Sequence, residues 1–152
     1  MTDTIAGVKI PDSKMAKELT QFIRDTEPDL LFHHSTRVYL FGALSGQRKG
    51  LKFDPELLYV GAMFHDIGLT ERYRSSQLRF EVDGANAARD FLRSYGIPET
   101  SVETVWDAIA LHTTPAFRST RRPRWPWSPR ASRWTCSASP TSSSPTSSAR
   151  LW

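Results

Sequence analysis

Two segments hold most of the chemistry this chain has to offer: Phe32-His33-His34-Ser35-Thr36-Arg37-Val38 and Ala62-Met63-Phe64-His65-Asp66-Ile67-Gly68-Leu69. Imidazole nitrogen and carboxylate oxygen are ligands for a divalent ion of intermediate hardness. Two histidines with one carboxylate suit Zn, Fe(II) or Mn about equally well. Both segments are otherwise apolar, and polar groups set among apolar neighbours cost free energy unless something satisfies them. Adjacent in sequence, His65 and Asp66 can reach one ion only where a helix is ending, and His34 from an antiparallel neighbour would add a third ligand. One divalent metal ion on His34, His65 and Asp66 is therefore expected. A lone histidine on a helix stripe is usually a satisfied core residue. Three inward-facing histidines on three helices (His34, His65 and His112), one of them beside an aspartate, point to a site rather than to a structural hydrogen-bond network alone.

The elements that must position these residues read as helices throughout residues 12–112, with no alternating strand pattern. Asp12 or Ser13 can cap the first helix, which places Met15, Leu19, Phe22 and Ile23 on one face. Glu27-Pro28-Asp29 opens the second, where Leu30, His34, Val38 and Phe41 share a stripe, so that His34 faces the core and His33 points about 100° away. Gly46 to Gly50 reads as a polar turn. Asp54-Pro55 is an N-cap followed by proline at the first helical position. The third helix then has Leu58, Ala62 and His65 on its inner face, Asp66 near its C-terminal end and Gly68 as its terminator. A carboxylate there meets the unfavourable end of the helix dipole, and a cation would offset it. Thr70 to Leu78 is a polar loop. A fourth helix follows, capped by Asp83, with Ala88, Phe91, Leu92 and Tyr95 inward and Gly96 with Pro98 at its end. The fifth begins near Thr100 and carries Val102, Val105, Ile109 and His112 on one face. The expected fold class is all-α, a compact bundle of about five helices with an irregular C-terminal tail.

The chain has 152 residues, enough for one domain, and a single cysteine, Cys136, which excludes an internal disulfide. No apolar run approaches the roughly 20 residues needed to cross a membrane. The N-terminus lacks the basic-then-apolar pattern of a secretory signal, so a cytoplasmic location is expected. Composition breaks near Pro115, dividing the chain into a helical domain, 1–115, and a tail, 116–152. The tail contains no Asp, Glu, Lys, Gly, Val or Ile, and 30 of its 37 residues are Ser, Arg, Pro, Thr or Trp. Its seven arginines carry +7 of a whole-chain charge of +4, which leaves −3 for the domain. The high isoelectric point is thus a property of the tail, and nucleic-acid binding is not expected from it. The tail reads either as a disordered basic segment or as the product of a shifted reading frame. Tryptophan has one codon, TGG. Reading one base earlier therefore makes Trp134-Thr135 encode Asp and Trp125-Pro126 encode Ala without any choice. Permitted codons for Arg124 through Pro140 can then spell an ordinary apolar helix bearing an acidic residue.

With the additional segments Arg79–Ala88 and Trp106–Pro115, the chain resembles the HD-domain superfamily of metal-dependent hydrolases, and within it the cyanamide hydratase-like proteins. The resemblance spans roughly residues 10–115. The superfamily pattern is a His on one helix, a His-Asp pair on a later one and a final Asp on a C-terminal helix. The resemblance matches His34, His65 and Asp66 to the metal ligands. The final Asp has no counterpart in the written chain, since nothing after Asp107 is acidic and Asp107 is a poor substitute. The Asp forced by the shifted frame falls where the family would place it. The implied activity is metal activation of water against a small substrate, such as hydration of cyanamide to urea, with His112, Arg79 and Glu81 as candidate catalytic residues. His112 would contact substrate or relay a proton, against the alternative of a buried histidine bonded to a backbone carbonyl. Glu81 and Asp83 would orient a ligand histidine. The commoner superfamily activity is phosphohydrolysis of nucleotides or phosphomonoesters, for which Arg37, Arg72, Arg74 and Arg79 would contact phosphate. A third alternative is a non-catalytic helical interaction module, or an inactive product of this reading frame. The expected partner is a small-molecule substrate, with no membrane; the oligomeric state stays open, a homo-oligomer included.

Overall fold

A computed structural model describes residues 4–114. The tail, its frame and the forced Asp at Trp134-Thr135 all lie outside the described residues. Among these residues the order is a short hairpin, β1 (Thr4–Ile5) and β2 (Val8–Lys9), then five helices: α1 (Lys14–Thr26), α2 (Asp29–Arg48), α3 (Pro55–Phe64), α4 (Phe80–Ser94) and α5 (Glu99–Ala110). The bundle is all-α apart from the hairpin, whose strands pair antiparallel with Ile5 opposite Val8. Ala6 and Gly7 take positive φ at its tip, the geometry that joins two strands in the shortest turn. Val8 is buried, and the Tyr39 hydroxyl donates to the Lys9 carbonyl at 2.8 Å, docking the hairpin on α2.

The centre is α3. Residues Leu58 to Phe64 are all buried, so this helix is apolar all round, as a helix surrounded by others must be. It packs against α1, α2, α4 and α5. Asp54 caps it as expected, accepting from the amides of Glu56 and Leu57, with Pro55 opening the first turn. Ser13, rather than Asp12, caps α1 by accepting from Ala16 N. The α1 face formed by Leu19 and Ile23 joins Leu92, Val102, Val105 and Ile109 in one core.

Three expectations need correction. The buried face of α2 runs through Phe32, Ser35, Val38, Tyr39, Gly42, Ala43 and Gly46, whereas Leu30 is 81% and Phe41 46% exposed. His34 lies on the flank of this buried face rather than at its centre. Gly46 is not part of a turn: the helix continues to Arg48, because Gly46 packs on the buried side. Asp83 does not cap α4. The helix starts earlier, at Phe80, which places Asp83 inside its first turn, where Oδ2 accepts from Ser75 N at 2.9 Å and ties the preceding loop to the helix.

Candidate metal centre

The site forms where α3 stops. Phe64 is its last residue, His65 keeps helical angles, and Asp66 leaves them at φ −112° and ψ 4° before a 3-10 turn over Ile67–Leu69. This break turns two sequence neighbours toward one point. The N-terminal part of α4 crosses the segment at backbone distance. A Cβ on Gly84 would meet the Phe64 carbonyl oxygen at 2.7 Å, and one on Gly68 would collide with the Phe80 carbonyl. Glycine at both positions lets the two backbones meet.

Around Asp66 the structure gathers His34 from α2, His65, and His112 from the turn after α5. His65 Nε2 is 3.1 Å and His34 Nε2 3.4 Å from Asp66 Oδ2, while His112 Nε2 approaches Oδ1 at 3.7 Å. The Nε2 atoms of His34 and His65 are 3.3 Å apart. His65 Nδ1 donates to the Ala62 carbonyl at 2.8 Å, and His112 Nδ1 to the Ile109 carbonyl at 2.7 Å. Each bond uses a carbonyl in the last turn of a helix, holds a proton on Nδ1 and turns Nε2 toward Asp66. His112 thus combines both sequence-stated alternatives, bonded to a backbone carbonyl and facing the site. His65 is buried, and the Asp66 side chain is 14% exposed. Burial first, and then the neighbouring His65, lower the His34 pKa, with Asp66 pulling the other way. Burial alone would raise the Asp66 carboxyl. Hydrogen bonding from His112 and His65, and their charge, nevertheless hold it well below the usual carboxylate range.

These residues fit a divalent cation. Ligating atoms of His34, His65 and Asp66 lie within 4.8 Å of one another. The Nε2 atoms that face Asp66 at 3.1–3.4 Å would bind a cation in their deprotonated form, its positive charge taking the place of the proton between imidazole and carboxylate. A histidine kept neutral by burial and a carboxylate kept ionised are the protonation states a metal requires.

The remaining candidates fall elsewhere. Glu81 is buried in the first turn of α4 and accepts from Arg79 Nη2 at 2.6 Å and from the Thr113 hydroxyl; Arg79 also donates to Thr113 at 2.9 Å. This network braces the turn that carries His112, rather than a ligand histidine directly. Burial disfavours the ionised Glu81, but bonds from Thr113 and Arg79 outweigh that and hold it below its ordinary value. Arg37 is exposed and close enough to depress His34. Arg72 lies over the Phe22 and Tyr73 rings, Arg74 is exposed, and so is Asp107.

One residue escaped the sequence reading. Glu27, between α1 and α2, is only 5% exposed and accepts from Ser35 Oγ at 3.4 Å. Burial first, then the Asp66 charge, raise its carboxyl to about 8, with the Ser35 bond acting against them. The Glu-Pro-Asp triplet reads as a solvent-facing helix start, and only the acid's place beside a buried serine tells otherwise.

No curated protein matches the chain. A family model described as HD domain does match, over residues 31–139, a span that includes His34, His65, Asp66 and His112 and continues past Pro115. That span is well over half of the chain, and the geometry at the end of α3 agrees with it: the chain belongs to the HD domain family.

Proposed function

We propose that the chain is a metal-dependent hydrolase or hydratase that activates water against a small molecule, with hydration of cyanamide to urea as the specific reading. The observation that carries the coarser reading is the convergence of three imidazole Nε2 atoms on one ionised carboxylate, with two of the rings fixed by helix-end carbonyls. When bound, a divalent ion here lowers the pKa of water toward neutrality and polarises the substrate. His34, His65 and Asp66 hold it. His112, which also abuts the Phe80 ring, faces the same point through Nε2 and takes or returns a proton there. Arg79, Glu81 and Thr113 fix the turn on which that nitrogen rides.

The second reading, a phosphohydrolase, is favoured by Arg37 beside His34. Against it, Arg79 is committed to Glu81 and Thr113 and so is poorly placed to receive phosphate. That commitment favours a small uncharged substrate. The test is elemental analysis of the purified chain, followed by assays with cyanamide and with a generic phosphomonoester. Urea release without phosphatase activity supports hydration, the reverse supports phosphohydrolysis, and a folded chain that takes up no metal and turns over neither substrate overturns both.

A further inference from the structure

Among the described residues, three buried side-chain polar atoms find no partner: Glu27 Oε1, Arg89 Nε and Thr114 Oγ1. Arg89 lies beside Asp90 at 3.7 Å, and Thr114 ends the described segment. Glu27 stands apart, since it is an acid, it is 95% buried, and its one bond ties it to the residue next to His34. An unmatched buried oxygen of this kind is costly, so its retention calls for a compensating role.

Charge balance supplies one. Among the described residues the donors at the end of α3 are imidazoles, which bind a metal as neutral ligands, and a single carboxylate, so a divalent cation there keeps one uncompensated positive charge in a mostly desolvated site. Uncompensated charge is expensive there. A second buried carboxylate within electrostatic reach of Asp66 is unfavourable while the two acids are the only charges there, and would become favourable once a dication is bound at Asp66. We propose that Glu27 is a positioning carboxylate of the metal centre: outside the direct donor set, it supplies the second negative charge and an acceptor for solvent drawn in with the cation. This inference rests on the metal reading given above.

The test titrates Zn2+ and Mn2+ chloride into the metal-stripped 152-residue chain and its E27Q and E27M variants, and follows thermal melts of all three in chelator. Loss of a carboxylate that supports a metal from outside the direct ligands weakens affinity about tenfold or more. The expected result is that weakening in both variants, together with a metal-free E27M that melts higher than the unsubstituted chain, because methionine fills the space without a buried acid. A merely structural glutamate would give the opposite pair, unchanged affinity and a lower melting temperature. Affinity within twofold of the unsubstituted chain, or an E27M protein that melts lower or fails to fold, overturns the proposal. If the unsubstituted chain itself takes up no metal, the metal reading falls and this inference falls with it. If it binds and E27Q binds equally, only the inference falls.

Discussion

Asp66 and Glu27 are both acids withdrawn from solvent and within each other's electrostatic reach, yet the fold treats them oppositely. At the end of α3, imidazoles from three elements converge on Asp66, and two of them, His112 and His65, keep it ionised. At the α1–α2 junction a single serine hydroxyl serves Glu27, one oxygen has no partner, and the carboxyl rises to about 8. Burial is common to the two, so burial does not decide the charge state. The number of donors facing each oxygen decides it. The pair therefore separates a group that the metal-free fold stabilises from one that it tolerates.

The largest effect expected is at Asp66. Replacing it by Asn should weaken Zn2+ or Mn2+ binding by more than the roughly 10–100-fold typical of supporting residues, and abolish turnover, as titration calorimetry and assay would record. If D66N keeps its metal, the roles assigned to the two acids are wrong. Next in size is the backbone contact that shapes the Asp66 side. Gly84→Ala must push α4 away from the Phe64 carbonyl, and a loss of roughly 1–3 kcal/mol in denaturant unfolding is expected, with metal affinity falling as well.

The two acids should also tilt the stability of the metal-free protein in opposite directions. Glu27 has a folded pKa above its unfolded one. Its contribution is fully present below pH 4.5 and is lost as pH rises from there to about 8. Asp66 is depressed, so its contribution is present above its ordinary value of 3.8 and is lost as pH falls through the lower folded one. Urea unfolding across pH should show E27M flattening the decline between pH 4.5 and about 8, and D66N removing the loss at lower pH. A decline that persists in E27M would assign it to another group. The smallest effect expected is from Ser35→Ala, about 1 kcal/mol, because the hydroxyl makes a long bond. It should raise the Glu27 pKa further, detectable as an upward shift of the upper end of that decline.

Much of the frame was legible because its signals are local. Asp54-Pro55 announces α3, Gly96 ends α4 with positive φ, and His65-Asp66 advertises the site before any packing is known. Periodicity also placed Val102, Val105 and Ile109 on the inner side of α5. What was not legible depends on where a helix is rotated or begins. His34 was assumed to be central on α2, yet it reaches Asp66 from the flank, because the end of α3 lies alongside that edge. Asp83 resembles a cap in sequence, but α4 begins earlier, where α3 can meet it only through Gly68 and Gly84. The hairpin is too short for alternation to register. Glu27 was invisible for a different reason: its meaning depends on Ser35, eight residues away, and on Asp66, on another helix.

The bonds from His65 to Ala62 and from His112 to Ile109 make helix length into a ruler. Each imidazole is aimed by a carbonyl in the last turn of its helix, Ala62 for His65 and Ile109 for His112, so termination and ligand aiming are one event. A one-residue insertion inside α3 or α5 would swing the ring by about 100° and supply a different carbonyl. Chain-length variation in this protein should therefore accumulate in the loops, leaving the lengths of these two helices as the part that cannot drift.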